Sequence, residues 1–117
     1  MEKGKALLEN LSPGAFSQLE QKLKPLSPSL FTQVVEHAYG DVLQPGALAT
    51  TSKQLILIAI LAAQGGASVQ LDKHLKAALS SGIQREQLLE LADLVALYSG
   101  IQNGLALTRK LSEIELT

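Results

Sequence analysis

The chain contains no cysteine and no tryptophan. Without a thiol it can form no disulfide, no thiolate metal site and no redox dithiol. Cysteine-dependent peroxidase or disulfide reductase activity is therefore excluded by composition. Aromatic side chains are almost as rare: Phe16, Phe31, Tyr39 and Tyr98 are all of them. The core has to be built from Leu, Ile, Val and Ala, which suits packed helices. Neither sign of charge dominates, since ten Lys and Arg stand against eleven Asp and Glu, for a net charge of −1. Such a balance offers no basic surface for nucleic acid or anionic lipid. No apolar run reaches the ~20 residues needed to span a bilayer. The charged start, Met1-Glu2-Lys3-Gly4-Lys5, does not read as a secretory signal. A soluble, cytoplasmic protein without a membrane partner is the expectation.

What is present is apolar and helical in pattern. Of 117 residues, 46% are apolar and 18% charged, the balance of one globular domain spanning residues 1–117. Ser12-Pro13 reads as an N-cap with proline in the first turn, opening a helix that ends near Lys24-Pro25. Ser27-Pro28 repeats the device and opens a second helix, which stops at Gly40. Thr51 caps a third, and its spacing to Gln54 matches a capping box. The run Leu55 to Leu61 has strand propensity. The cap, the continuation through Gln64 and the helical company place it in a helix that must be central, because it is apolar on every side. Gly65-Gly66 ends that helix, and Ser68 caps the fourth. The fourth runs to Ser81, with Gly82 as its left-handed terminator and Ile83 as the apolar residue that closes such motifs. A fifth helix spans about Arg85 to Tyr98, with Glu86, Glu90 and Asp93 as a narrow polar stripe. A sixth carries Leu105, Leu107 and Leu111. The fold class is all-α, with about six helices.

Two of these helices have more apolar surface than a small monomer covers, which points to subunit contacts and a homo-oligomer. The helix–turn–helix around Gly82 is no DNA reader, because its second helix is acidic and apolar where recognition needs Arg, Lys, Asn or Gln.

Several fragments align in order and spacing: Tyr39-Gly40-Asp41-Val42, Pro45-Gly46-Ala47-Leu48, Lys53 to Ala59, Ala63-Gln64-Gly65-Gly66, Gln70-Leu71 with His74, Ala77-Ala78-Leu79 with Gly82, Glu86 to Glu90, and Tyr98-Ser99-Gly100. Together they make the chain resemble the carboxymuconolactone decarboxylase family, of the superfamily that also holds alkyl hydroperoxidase D. The resemblance implies an alkyl hydroperoxidase D-like helical domain that assembles as homotrimers or as hexamers of paired trimers. The peroxidase-like branch of that superfamily needs a C-x-x-C pair. This chain has Gly65-Gly66-Ala67-Ser68-Val69 in that region. The decarboxylase branch needs neither cysteine nor cofactor, and implies a lyase acting on an anionic lactone or related small carboxylate. Loss of CO₂ leaves an electron-rich fragment that must be protonated. His74 stands where the family keeps its histidine. Gln54 stands where glutamate is usual, and Lys53 where arginine is usual.

Each of these residues also has a structural role open to it. His74 borders the apolar stripe of its helix, and can be a half-buried histidine bonded to a backbone carbonyl or across a subunit interface. Gln54 can complete the capping box, and Lys53 can be a solvated charge. Tyr98, the remaining candidate for substrate contact, can pack in the core with its hydroxyl satisfied. His37 beside Glu36 suits a helix C-terminus, and Glu86 and Glu90 a solvated face. No metal site is expected, since two histidines and a carboxylate would meet only through tertiary chance. Two functions follow. One is a cofactor-independent lyase with His74 as proton donor and with Lys53, Gln54 and Tyr98 holding substrate. The other is a non-catalytic homo-oligomeric module of the same family that binds a small molecule or serves assembly.

Overall fold

The computed structural model describes residues 1–65 and 68–114, the side chain of Ser68 excepted. Among the described residues the chain forms seven α-helices and one π-helical segment, with no strand. The all-α class is as expected. The structure divides into two compact units, Met1–Thr50 and Thr51–Thr117.

The first unit holds α1 (Glu2–Leu11), α2 (Ala15–Lys22), α3 (Pro28–Thr32) and the π-helical segment Gln33–Val42. The sequence reading had no helix at α1, where charged residues interrupt the pattern. Gly4, Leu8 and Leu11 nevertheless bury one stripe at helical spacing. Ser12-Pro13 is not the cap of α2. The Glu9 carboxylate accepts the N–H groups of Gly14 at 3.0 Å and Phe16 at 2.9 Å, so a residue of the preceding helix satisfies the free amides. Those two bonds, Gly14 foremost, hold the Glu9 carboxyl below its usual range. The second device is as expected: Leu30 N–H donates to Ser27 Oγ at 3.2 Å, with Pro28 opening α3. The expected stop at Gly40 is overrun, because the chain widens into π-helical turns that continue to Val42. Gly4 is what lets α1 lie on that segment, since a Cβ there would sit 1.7 Å from the Val35 carbonyl oxygen. Leu8, Phe16, Phe31 and Val35 form the core of this unit. The two phenyl rings are 5.8 Å apart and tilted by 57°, within the centroid range of favourable aromatic pairs.

The second unit is built from α4 (Thr50–Gln64), α5 (Ser68–Ser80), α6 (Arg85–Ser99) and α7 (Ile101–Glu113). The run Leu55 to Leu61 is helical, as its length and company required. It is not buried on every side: Gln54, Ile58 and Ala62 face inward, while Ile56 and Ile60 are 47% and 49% exposed. The C-terminus of α4 is held from outside. Ser99 Oγ and Asn103 Nδ2 both donate to the Ala63 carbonyl, at 2.9 and 3.1 Å. The expected cap at Ser68 lies outside the described side chains, and Gly66 outside the described residues. α5 ends as its sequence predicts. Gly82 has φ +102°, Ile83 N–H donates to the Ala78 carbonyl at 3.0 Å, and Ile83 is buried.

α6 opens where Gln84 N–H donates to Gln87 Oε1 at 2.8 Å, the backbone arm of a capping box. Its polar stripe Glu86, Glu90 and Asp93 is exposed as expected. Gly104 brings α7 onto α6, because a Cβ there would meet Ala96 Cβ at 2.6 Å and the Ala92 carbonyl at 2.9 Å. The Arg85 guanidinium donates to the carbonyls of Leu111 and Ile114, closing the end of α7. Ile58, Leu75, Leu88, Leu107 and Leu111 are the fully buried centre of this unit. No described helix is long and apolar enough to cross a membrane.

Candidate functional site

The buried face of α4 reads Gln54, Ile58, Ala62, one residue per turn. Two of the three are what a core wants. Gln54 is not: it is 2% exposed and the one buried polar side chain among the described residues. Its Oε1 has no hydrogen-bond partner. The capping box expected between Thr51 and Gln54 is therefore absent, since that box needs Gln54 Oε1 to accept the backbone N–H of residue 51. The helix also begins earlier, at Thr50. An amide carbonyl buried without a donor costs about 1–3 kcal/mol, so the fold carries Gln54 at a loss.

His74 lies on α5 beside Leu71, Leu75 and Ala78, which are buried in the same apolar cluster as Ile58 and Ala62 of α4. Its own ring is half-buried at the edge of that face. Burial, and after it the neighbouring Lys73 charge, push its pKa below the ordinary 6.5. At pH 7 it is a neutral imidazole, with one ring nitrogen donating and the other accepting. No hydrogen bond to either nitrogen occurs among the described residues, so the backbone-bonded structural role expected for it is not realised there. Gln54 and His74 thus stand beside one apolar cluster, Gln54 one turn before Ile58 and His74 next to Leu75. Both have unused hydrogen-bonding capacity among the described residues.

The other candidates are placed differently. Lys53 is half-buried and has an interaction partner, so it is not the solvated charge the sequence suggested. Tyr98 is 86% exposed, and the expectation that it packs in the core is overturned. After Leu88, Leu91 and Val95 the inward place on α6 falls to Ser99, whose hydroxyl bonds the end of α4. Tyr98 is instead exposed, as are Leu94 and Leu97 of α6 and Ile101 and Leu105 of α7. His37 faces Asp41 at 3.8 Å on the π-helical segment, both side chains exposed. An open recess in the first unit, lined by residues that include Glu2, Glu36 and Asp41, contains none of the candidates. Among the described residues no group of three or more His, Asp or Glu could hold a metal ion.

The sequence reading missed Asn103. It donates to Ser99 Oγ at 2.8 Å as well as to Ala63, and so ties the α6–α7 corner to the end of the helix that carries Gln54. An asparagine three residues past a helix-ending glycine was the available signal.

In comparison with known families, the model described as the carboxymuconolactone decarboxylase family fits residues 28–111. The match covers more than half of the chain and includes Lys53, Gln54, His74 and Tyr98. No curated protein matches the chain.

Proposed function

The chain belongs to the carboxymuconolactone decarboxylase family, and from that premise we propose that Gln54 and His74 form a small-molecule site for acid–base decarboxylation of a small carboxylate. The observation that carries this is the pair itself: two neutral polar side chains beside one apolar cluster, the first with an unpartnered buried oxygen. In the reaction the C–C bond to the carboxylate breaks, CO₂ leaves, and its electron pair stays on the substrate as an enolate-like anion. His74, protonated from solvent, gives that proton to carbon, so that R–COO⁻ and H⁺ become R–H and CO₂. Gln54 cannot carry a proton. It acts through its unpartnered oxygen, which accepts a hydrogen bond from a donor group of the substrate and so orients it. Lys53 supplies a point charge for a carboxylate, without the two-pronged grip of arginine. No cofactor takes part.

The exposed apolar residues Leu94, Leu97 and Tyr98 of α6 and Ile101 and Leu105 of α7 support assembly as a homotrimer or homohexamer, since exposed apolar surface marks interfaces. In such an assembly Tyr98 reaches substrate from a subunit boundary. A second reading is a non-catalytic binding module of the family, favoured by Gln54 itself: with an amide in that place, His74 is the single acid–base group of the pair. The deciding experiment is a decarboxylation assay on carboxymuconolactone and related lactone carboxylates, with His74→Ala as control. Turnover lost in the variant supports catalysis. Equal rates, or binding without turnover, leave the binding module.

A further inference from the structure

We propose that the ligand group facing Gln54 is an uncharged hydroxyl on an apolar frame, and that Gln54 selects for it by accepting its hydrogen bond. The proposal rests on the site reading above and narrows its ligand. What is unsatisfied at Gln54 is an acceptor, Oε1, sealed from solvent. A buried acceptor is completed by a donor. A carboxylate or ether oxygen brought to Oε1 supplies none and repels it. An ammonium would donate, but it would bring a charge into apolar surroundings, with Lys73 already adding positive charge beside His74. A hydroxyl satisfies Oε1 without charge. Its own oxygen remains free to accept from a neutral imidazole, and the rest of the ligand has Ile58, Leu71 and Leu75 as its neighbourhood. Glutamate in place of Gln54 would carry its charge into the same burial. Glutamine keeps the acceptor and drops the charge.

The test compares phenol with anisole, which have the same ring and oxygen but differ in the hydroxyl proton. Both are titrated into the full chain while the Gln54 side-chain amide and the His74 ring are followed by nuclear magnetic resonance. Phenol is expected to shift both signals saturably and to bind more tightly than anisole. Gln54→Leu should weaken phenol about three- to tenfold, the worth of one hydrogen bond, and leave anisole unchanged. Gln54→Met, closer in length, serves if leucine does not fit. Equal affinity for phenol and anisole, or phenol binding indifferent to both variants, overturns the hydroxyl assignment and leaves the site standing. If neither probe moves Gln54 or His74, as when a single water completes Oε1, the hydroxyl assignment fails and so does the site.

Discussion

Replacing Gln54 by leucine should make this protein more stable. The side chain is 2% exposed, and its carbonyl oxygen bonds to nothing. Native cores avoid this, and leaving such an acceptor unmet costs about 1–3 kcal/mol. Leucine has similar bulk, removes the orphan and adds apolar contact with Ile58 and its cluster. Imperfect fit of the branched end returns part of the gain, so the net is about 1–2 kcal/mol. Unfolding entropy near 60 °C is about 2.1 cal/mol/K per residue. For a chain of 117 residues unfolding as one, each kcal/mol then moves the melting temperature by about 4 °C. The expected rise is roughly 4–8 °C by calorimetry or circular dichroism, with the urea midpoint moving the same way. Gln54→Glu is the opposing control. A carboxylate buried there is desolvated, which raises its pKa above the ordinary ~4.3. A raised folded pKa means stability that is present below the unfolded value and lost as pH rises through the folded one. That variant should approach the parent at about pH 4 and fall behind it toward pH 8. A leucine variant that keeps its helicity but melts several degrees lower would show that the Gln54 oxygen is satisfied in solution, and the argument would fail with it.

Three further outcomes test other parts of the structure. The lowered pKa of His74 means stability present above 6.5 and lost as pH falls through the folded value. Melting temperatures measured between pH 7.5 and 5 should therefore fall less steeply for His74→Gln than for the parent, and parallel curves would contradict the burial of the ring. Gly104→Ala places a methyl 2.6 Å from Ala96 Cβ and must push α7 off α6. A loss of about 1–3 kcal/mol in urea unfolding is expected, and a neutral result would mean that the two helices cross less closely. Leu97→Glu, at an exposed apolar position of α6, should dissociate a homo-oligomer. Light scattering checks it, and a parent protein that is already monomeric refutes the assembly.

Much of the fold was legible because helix ends are local chemistry. Ser27-Pro28 and Gly82-Ile83 specify a start and a stop through bonds within a few residues, and both occur as read. The misses come where a distant residue does a local job. Ser12 lost its cap to Glu9, a side chain of the preceding helix. Gly40 did not end its helix, because α1 supports a widened π-helical course through Gly4, and nothing within ten residues of Gly40 announces that. α1 itself rests on three buried positions, too few for its charged sequence to reveal by pattern.

The candidate site was legible in a different way. Family position drew attention to Gln54 and His74, but residue type alone could not separate a cap from a core position. T-x-x-Q at a helix start satisfies the capping-box pattern as well as Gln84 and Gln87 do, and only one of the two pairs makes the bond to the first residue's N–H. The difference is burial. Gln87 is exposed, so its side chain is free to turn back to its own backbone. Gln54 continues into Ile58 and Ala62 on the inward face, and packing holds it there away from the first turn. A residue kept in the core without a bond is a cost that stability alone would remove by substitution with leucine. That cost, and not the histidine, is the strongest physical reason to look for a ligand here. His74 by itself would be an ordinary half-buried histidine with a lowered pKa. Its neighbours Leu71, Leu75 and Ala78 share one apolar cluster with Ile58, which follows Gln54 by one turn, and that is why we propose it as the second group of the site.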